Sequence, residues 1–282
     1  MDLPSGFVRG LNVRGIRIPK KRDDMLFWLK QKVRGRTPGI NIITETHCHD
    51  RKDVRDWGRQ WSQNEDNSYW TKGPSNSKGV AILISDAFRD AHPDMKVMDV
   101  CIDPNARYVK LIITINDSTY RILGVYAPNN SLERVKFFNS LIDLVDDGYD
   151  AENIFGGDWN CAFDSELDRF NCTGSTDLGK KDLSLLCKVL DIEDVWRRRF
   201  PDTIEYSWRG RGKKSRIDYW LSSISLNNQI KSVFYSVAPY TDHHAINMII
   251  DLKEAKKGPG IWKMNSSVLQ NKKYIDGINQ LW

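Results

Sequence analysis

The sequence lacks the features of a secreted or membrane-spanning protein. Its start, residues 1–6, has neither the basic nor the apolar region of a signal peptide. No apolar run approaches the roughly 18 residues that a membrane-spanning helix needs. The five cysteines are odd in number and form no Cys-x-x-Cys pair, which argues against a disulfide framework or a zinc site. We therefore expect an intracellular protein with reduced thiols.

The composition has no extreme either. The chain has 282 residues, 40% hydrophobic and 28% charged, which is ordinary for a soluble globular protein. This length is enough for a full core, as one large domain or two small ones. The net charge of +5 permits a polyanionic partner but does not require one.

Short strand-like runs and single helices alternate along the chain. The best helix covers residues 131–146, where apolar residues recur at helical spacing and Asn130 with Glu133 resembles a capping box. Two more helices are predicted at 23–33 and 179–190. Hairpins mixed with single helices favour an α/β sandwich with mixed sheets and outer helices over a doubly wound parallel sheet. The predicted strands are 7–12, 39–44, 79–84, 96–102, 108–115, 119–126, 153–155, 216–221 and 245–251.

One composition break lies near the C-terminus. Residues 256–260 read Lys-Lys-Gly-Pro-Gly, which is typical of a linker, and residues 267–282 show an amphipathic helical pattern. We expect a domain over 1–255, followed by a linker and the start of a helix over 256–282. Because this apolar helix stops at Trp282, the chain looks like a fragment of a longer protein.

Polar residues follow six of the apolar strands. Each alone has an ordinary explanation, such as a turn or a solvated carboxylate, because short motifs often match by accident. Six in succession indicate one shared pocket. The residues are Asn12, Glu45, Tyr126, Asp158 with Asn160, Asp218, and Asp242 with His243.

Three of these residues suit a metal ion. Cleavage of a phosphodiester needs a hard cation against the phosphate oxygens, and Mg²⁺ prefers carboxylates and water. Glu45, with Asn12 and Asp242 nearby, would supply such an oxygen-rich site. No set of His or Cys ligands competes, so zinc is disfavoured.

The remaining residues suit acid–base chemistry. A carboxylate with a neighbouring amide, here Asp158 and Asn160, can orient a water molecule and accept its proton. A carboxylate that fixes the tautomer of a histidine lets the ring act on a phosphate, so Asp218 is paired with His243.

These motifs, in this order, resemble the endonuclease/exonuclease/phosphatase superfamily. Within it the chain looks most like the apurinic-type endonuclease domain of LINE-type (non-LTR) retrotransposons, over about residues 8–252. The motifs are Asn12, Glu45-Thr-His, Val125-Tyr-Ala-Pro-Asn129, Gly157-Asp-Trp-Asn160, Arg216-Ile-Asp-Tyr219 and Thr241-Asp-His243.

The resemblance implies a four-layered α/β sandwich of the DNase I type, in which two mixed sheets pack face to face with helices outside. It gives Glu45 to the metal, Asn12 to the metal or the phosphate, and Asp242 to a position beside the metal. It gives Tyr126 to transition-state stabilisation, and it places Asn129 among the DNA contacts. Asp158, Asn160, Asp218 and His243 keep the roles argued above. The implied cofactor is Mg²⁺, for which Mn²⁺ would substitute.

A basic glycine-rich segment precedes Asp218. It carries Arg209, Arg211, Lys213 and Lys214, and retrotransposon relatives have at this point a β-hairpin that contacts the DNA minor groove. We expect this segment to bind DNA rather than to be an ordinary solvated loop. Residues 51–61 also interleave arginines with tryptophans, but an exposed amphipathic helix is the better interpretation there.

Two departures and one extension qualify the resemblance. Arg14 stands where repair-type relatives tend to carry an acidic metal-site residue, and Thr241 replaces the commoner Ser. Residues 258–265 resemble the stretch that leads from this domain towards a reverse transcriptase.

Three functions remain open from the sequence. The first is a Mg²⁺-dependent endonuclease that nicks double-stranded DNA and leaves a 3′-hydroxyl to prime reverse transcription. The implied partners are the target DNA, the reverse transcriptase of the same polyprotein and the element RNA, with no membrane, a monomeric isolated domain and action in the nucleus. The second is an abasic-site repair endonuclease, and the third is a catalytically silent nucleic-acid-binding domain.

Overall fold

The computed structural model describes residues 6–172 and 178–252. Within these ranges the strands and helices alternate as follows. The strands are β1 (Gly6–Asn12), β2 (Ile40–Thr44), β3 (Ser68–Trp70), β4 (Val80–Ile84), β5 (Lys96–Ile102), β6 (Tyr108–Ile115), β7 (Ser118–Tyr126), β8 (Glu152–Asp158), β9 (Arg169–Phe170), β10 (Ile192–Asp194), β11 (Trp208–Gly210), β12 (Lys213–Ser215), β13 (Asp218–Ser223), β14 (Ile230–Val237) and β15 (His244–Ile250). The helices are α1 (Pro19–Lys30), α2 (Arg51–Trp61), α3 (Asp86–Ala91), α4 (Ser131–Val145), α5 (Lys180–Leu190) and α6 (Val195–Arg199), with 3-10 turns at Glu65–Asn67 and Ile224–Asn228.

Local sequence explains where the main helices begin. Asp50 caps α2, since its side chain accepts a hydrogen bond from the Asp53 amide at 2.9 Å. Asn130 caps α4 in the same way through the amides of Leu132 and Glu133. Helix α1 begins at Pro19, whose fixed φ suits the first helical position.

Two six-stranded sheets carry the fold. Their strand orders are β14-β15-β1-β2-β4-β3 and β10-β13-β8-β7-β6-β5. Each sheet is mixed, because it contains one parallel pair, β1 with β2 or β7 with β8, among antiparallel neighbours. The carboxyl ends of each parallel pair therefore meet at one edge of their sheet.

The sheets pack face to face, with helices on their outer faces. The central core joins Ile42 and Ile82 of the first sheet to Leu111 and Ile122 of the second. Helices α1 and α2 cover the outer face of the first sheet, and α4 and α5 cover that of the second. Each apolar side chain buried in this way contributes about 1.5–3 kcal/mol. The predicted four-layered α/β sandwich is confirmed.

The sequence missed some elements and misplaced others. It gave no strand at β14, where the register shifts between Ile230 and Ser232 and interrupts the alternation of buried residues. It placed the first helix at 23–33, but that helix begins four residues earlier and ends at Lys30. Strands of two or three residues, such as β9 and β10, are too short to show a periodic pattern. The predicted linker and helix over 256–282 lie outside the described residues.

The described residues also show whether the chain has membrane-spanning helices or disulfides. In the described part of the chain, none of the helices combines the length and apolar character needed to cross a membrane. The five cysteines all lie in the described ranges and form no disulfide there.

Candidate active site

The sheet edges bring the predicted polar residues together. Asn12 ends β1, and Glu45 directly follows β2, which runs parallel to β1. Tyr126 and Asp158 end the second parallel pair and lie opposite each other in its register. Asp218 begins β13 and pairs across the antiparallel ladder with Asp158. Five strand ends from two sheets therefore face one pocket.

The buried amide of Asn12 joins two of the carboxylates. Its Nδ2 donates to Oε1 of Glu45 and to Oδ2 of Asp158, both at 2.9 Å. The hydroxyl of Tyr126 donates to the same Oε1 of Glu45, also at 2.9 Å. One amide thus fixes the positions of both acids, and Asn12 is fully buried while doing so.

Glu45 is held as an ionised carboxylate. Burial alone would raise its pKa, but the His47 ring, 3.8 Å away, and hydrogen bonds from Asn12 and Tyr126 outweigh burial and lower the pKa to about 2. The residue sits in the left-handed backbone region, with φ of 54°. A non-glycine residue persists there only when its surroundings impose the conformation, so the turn after β2 aims this side chain.

Asp158 is also buried but is held differently. Its Oδ1 accepts the Asn160 amide at 3.0 Å, while its Oδ2 accepts Asn12. Burial and the neighbouring Asp218 charge raise the pKa of Asp158 to about 7, although His243 and the hydrogen bonds oppose them. A carboxylate with a raised pKa is a suitable proton acceptor near neutral pH.

Asn160 is tied to the backbone beside Asp158. Its Nδ2 donates to the Ala127 carbonyl at 2.9 Å, and its backbone is left-handed, with φ of 48°. This contact fixes the Asn160 amide beside Asp158.

The glycine pair before Asp158 has a packing cause. A Cβ on Gly157 would lie 2.1 Å from the Val125 carbonyl oxygen, and one on Gly156 would lie 2.2 Å from the Trp220 ring. Glycine at 157 therefore lets β8 approach β7 closely, and glycine at 156 leaves room for the Trp220 ring of β13. The Gly-Gly signal in the sequence therefore reflects the approach that delivers Asp158.

Asp218 and His243 form the predicted pair. The Nδ1 of His243 lies 2.8 Å from Oδ2 of Asp218, and both residues are buried. Burial lowers the pKa of His243, but the Asp218 charge and hydrogen bond raise it more, to about 9. The Oγ of Ser207 donates to the same Asp218 oxygen at 2.6 Å and fixes the carboxylate. Sequence reasoning missed Ser207, because a single serine before Trp208 carries no spacing signal.

Three of these groups also form a cluster that could hold a metal ion. Ligand atoms of Asp158, Asp218 and His243 lie within 4.8 Å of one another. The sequence assigned these residues to acid–base chemistry and gave the metal to Glu45, Asn12 and Asp242. The geometry therefore offers two adjacent places for a cation, one at Glu45 and one at this cluster.

Asp242 lies at the rim of the pocket in an ion pair. Both of its oxygens accept from Nη1 of Arg14, at 2.9 and 3.1 Å. Its Oδ2 also accepts from the indole Nε1 of Trp208 at 3.0 Å. Trp208 opens strand β11, so Asp242 ties the basic segment to the pocket. A metal role for Asp242 stays a prediction.

The basic segment is a β-hairpin. Strands β11 and β12 pair, and β9 extends them to a three-stranded sheet. Arg209, Arg211 and Lys213 are exposed on it, whereas Lys214 lies over the rings of Phe170 and Tyr206. Three side chains are therefore exposed where they could meet a phosphate, although Arg209 also lies 3.8 Å from Glu205. The fourth is partly held by aromatic contacts.

A buried ion network anchors the base of this hairpin. The guanidinium of Arg216 donates to both oxygens of Asp168, at 2.8 and 3.0 Å, and contacts Asp194 at 2.7 Å. Arg197 donates to Asp168 at 2.6 Å. Sequence reasoning placed Arg216 in a motif but gave it no role. The network shows that Arg216 is structural, since it is fully buried.

Asn129 lies at the entrance of α4, one residue before its cap. Its backbone carbonyl accepts from Arg134 at 3.1 Å, and its residue surface is exposed. The structure thus leaves the side chain of Asn129 open to a ligand. Its predicted DNA contact stays a prediction.

Known proteins share this fold. The AP endonuclease LMAP from Leishmania major is 12% identical with a TM-score of 0.66, covering 88% of both chains. The Xenopus laevis APE2 catalytic domain is 17% identical with a TM-score of 0.67, covering 87% of this chain and 91% of that one. The 3′-5′ exonuclease from Neisseria meningitidis is 18% identical with a TM-score of 0.62, covering 87% and 99%. The fold is that of the endonuclease/exonuclease/phosphatase superfamily.

One curated protein is similar in sequence. It is the transposon TX1 uncharacterized 149 kDa protein of Xenopus laevis, 26% identical over 281 residues. The match covers 96% of this chain and 20% of that protein, so the chain spans about a fifth of its relative's length. No protein-family model matches the chain. The transposon similarity and the superfamily fold agree with the LINE-type resemblance stated from the sequence.

The Asp218–His243 pair predicts how the stability of this domain depends on pH. The folded-state pKa of His243, about 9, lies above the model-peptide value of 6.5. The protonated pair therefore stabilises fully below about pH 6.5, and this stabilisation is lost as the pH rises to about 9. The raised pKa of Asp158 acts in the same direction at lower pH, between its ordinary value of 3.8 and about 7.

Urea unfolding at pH 6, 7, 8 and 9 in EDTA should show the free energy of unfolding falling, by roughly 3 kcal/mol at most. His243→Gln should be less stable overall but should lose most of this slope. An equal slope in wild type and variant would show that His243 is not the titrating group.

The Trp208–Asp242 contact predicts a local change in the hairpin. Trp208→Phe keeps the ring but removes the N–H donor, and a hydrogen bond to a charged group contributes about 1.5–3 kcal/mol. Backbone amides of residues 208–215 should therefore exchange faster with deuterium. Trp196→Phe is the matched control, because the Trp196 indole nitrogen has no partner among the described residues. Unchanged exchange in Trp208→Phe would show that Asp242 does not fasten the hairpin.

Proposed function

We propose that this chain is a divalent-metal-dependent DNA endonuclease that nicks one strand of a duplex for a non-LTR retrotransposon. The observation that carries the proposal is the Asn12 amide, whose Nδ2 donates to both Glu45 and Asp158 at 2.9 Å. Asp158 in turn lies opposite Asp218, which holds His243 by a hydrogen bond. The pKa of Glu45 is lowered and that of Asp158 is raised, so one carboxylate can hold a cation while the other accepts a proton. Together with an oriented histidine, this combination suits hydrolysis of a phosphodiester. The superfamily fold and the transposon relative support a nuclease role.

The pocket fits a hard cation such as Mg²⁺. Glu45 is ionised, and its Oε1 is occupied by Asn12 and Tyr126. Its Oε2 lies 3.8 Å from His47 Nε2, beyond hydrogen-bond distance, and accepts no hydrogen bond within the described ranges, so this carboxylate oxygen is available to a metal. Glu45 would hold the ion with Asn12 and Asp242 nearby, and Mn²⁺ would substitute. When bound, the metal neutralises charge on the phosphate oxygens.

The chain's own groups supply the remaining chemistry. Asp158 accepts the proton of the attacking water, since its raised pKa favours proton uptake, and Asn160 orients that water. His243, which Asp218 keeps protonated and oriented, donates a hydrogen bond to a phosphate oxygen. In this structure the one hydrogen of the Tyr126 hydroxyl is donated to Glu45. Turned from that carboxylate to the phosphate, the hydroxyl would supply a second donor where charge develops.

The product explains the biological role that we propose. Cleavage on the 5′ side of the phosphate leaves a 3′-hydroxyl, which a reverse transcriptase can extend with the element RNA as template. The partners would be chromosomal DNA and the reverse transcriptase of the same polyprotein, which places the reaction in the nucleus. The transposon relative, about five times longer than this chain, is consistent with a polyprotein.

A nicking assay tests the proposal. Supercoiled plasmid should be converted to open circles with Mg²⁺ and stay intact with EDTA, and a polymerase should extend the nick without prior end repair. Absence of nicking with Mg²⁺ and Mn²⁺ would leave a silent nucleic-acid-binding domain. Cleavage restricted to duplexes with an abasic site would support the repair endonuclease instead. Arg14, paired with Asp242 where repair relatives carry an acid, makes us expect cleavage of intact DNA.

The hairpin should govern DNA affinity. Neutralising Arg209, Arg211 and Lys213 should weaken duplex binding and flatten its log–log salt dependence by roughly 0.9 for each lost phosphate contact. Neutralising Lys214 alone should have a smaller effect, because its ammonium lies over two aromatic rings. Filter binding between 50 and 200 mM salt measures the duplex affinity and its salt dependence for each variant. An unaltered slope in the triple variant would make the hairpin an ordinary solvated loop.

A further inference from the structure

A second concave site lies on the side of the sandwich, apart from the residues of the active site. It is a cavity of about 760 Å³ between α2 and the edges of both sheets. Strand β3 is the last strand of the first sheet, and β5 is the last strand of the second. Ser68 and Trp70 line the cavity from β3, and Ile102 lines it from β5. We call this cavity the edge groove.

One wall of the edge groove is cationic. Arg51, Arg55 and Arg59 follow one another at four-residue spacing on α2 and line the groove, with Lys72 at its end. Arg51 and Lys72 form no ion pair within residues 6–172 and 178–252. Arg55 and Arg59 have exposed carboxylate neighbours, at 3.1 and 4.0 Å, and such surface pairs contribute little. The row is therefore available to an anionic ligand.

The opposite wall and floor are largely apolar. Val54 and Trp70 lie beneath the arginine row, and Ile102 and Pro104 form the far rim. On β5 the apolar side chains of Ile102, Val100 and Met98 are 42%, 40% and 51% exposed.

Two acids also line the groove. Glu65 is exposed and lies 4.0 Å from Arg59, and the oxygens of Asp103 accept backbone amides at 2.8 and 3.1 Å, which partly satisfies its charge.

We propose that the edge groove binds a short, extended acidic segment of a partner polypeptide, with carboxylates on the arginine row and an apolar side chain on the floor. Residues four apart on a helix are about 6 Å apart along its axis. Alternate residues of an extended chain are about 6.6 Å apart, so carboxylates at every second position match the row. The free edge of β5 offers backbone groups to such a chain.

Two other occupants fit less well. Residues 253–282 carry six lysines and only two acids, so the chain's own C-terminal sequence does not complement an arginine row. The second occupant is single-stranded nucleic acid. Proteins that bind it without sequence preference stack its bases on exposed aromatic side chains. Trp70 is the one aromatic residue of the groove lining and is only 3% exposed, so the groove lacks such a stacking surface.

Fluorescence anisotropy of labelled peptides tests the proposal on the full chain. A peptide of four Glu-Val repeats should bind at 150 mM salt, and peptides of four Lys-Val or four Glu-Ser repeats should bind at least about tenfold more weakly. The variant Arg51→Glu/Arg55→Glu/Arg59→Glu should lose about tenfold or more in affinity for the Glu-Val peptide. Its control, Lys136→Glu/Lys181→Glu/Lys188→Glu, makes the same charge change on α4 and α5 and should bind like wild type.

A separate variant tests the apolar wall of the edge groove. Ile102→Asp should also weaken the Glu-Val peptide about tenfold, and it keeps the test decisive if the arginine variant fails to fold. Plasmid nicking should be unchanged in both, because none of these residues lies in the active site. Equal affinity for the Glu-Val and Lys-Val peptides, or equal loss in the lysine control, would overturn the proposal. Tighter binding of an oligothymidine that the arginine variant abolishes would replace it with a nucleic acid groove.

Discussion

Glu45→Gln is expected to lower the nicking rate by roughly 10²-fold to 10⁴-fold, because the metal contribution to phosphate charge neutralisation is several kcal/mol. The substitution keeps the shape of the side chain and its acceptor oxygen, so Asn12 and Tyr126 can still donate to it. What it removes is the negative charge that the pKa of about 2 guarantees. The loss should therefore appear in metal affinity as well as in rate.

Calorimetric titration with Mg²⁺ or Mn²⁺ measures that affinity without turnover. Glu65→Gln is the matched control, since the Glu65 side chain is 82% exposed and remote from the pocket. The thermal unfolding midpoint of Glu45→Gln should stay near that of wild type in EDTA. Full nicking activity in Glu45→Gln would remove Glu45 from the metal site and leave the cluster of Asp158, Asp218 and His243 as the place for a cation.

The predictable part of this site follows from sheet geometry. Each of Asn12, Glu45, Tyr126 and Asp158 stands at the carboxyl end of an apolar strand, and parallel neighbours end at the same edge. A local pattern of apolar run, turn and polar residue therefore determined where these groups meet. The two glycines before Asp158 added a further local signal, because a side chain at 157 would meet the Val125 backbone and one at 156 would meet the Trp220 ring.

The unpredicted part depends on contacts between distant segments. Ser207 fixes Asp218 from 11 residues away, and Asp168 meets Arg216 across 48 residues. Neither pair has a spacing that a helix or strand would impose. The same holds for the ion pair of Arg14 with Asp242, which joins residues 228 apart. A sequence shows the type of such residues but not their partners.

For the helix over residues 51–61, the sequence predicted the element correctly but not the groove that it helps to form. The sequence indicated an exposed amphipathic helix, and α2 is one, with Trp57 and Trp61 buried against the first sheet. What the periodicity could not show is that β3 and β5 both end their sheets beside it. The arginine row becomes one wall of a groove only because of that tertiary arrangement.

Asp158→Asn and His243→Gln are each expected to reduce the nicking rate by roughly 10²-fold to 10⁴-fold, the usual contribution of an acid–base group. Asp218→Asn should cost a similar amount, although Asp218 acts through His243. It holds the imidazole at 2.8 Å and raises the pKa of His243 to about 9. With Asn at 218, the ring would lose its proton near neutral pH.

The double variant Asp218→Asn/His243→Gln separates these roles. Because Asp218 holds the His243 ring by a hydrogen bond at 2.8 Å, the double variant should be little slower than the slower single variant. Asp158→Asn combined with His243→Gln should lose more than either single variant, since the two act on the water and on the phosphate respectively. Rates from single-turnover nicking over pH 6–9 test both. Multiplicative losses for Asp218 with His243 would mean that Asp218 acts on the substrate or a metal directly, as its place in the metal-capable cluster allows.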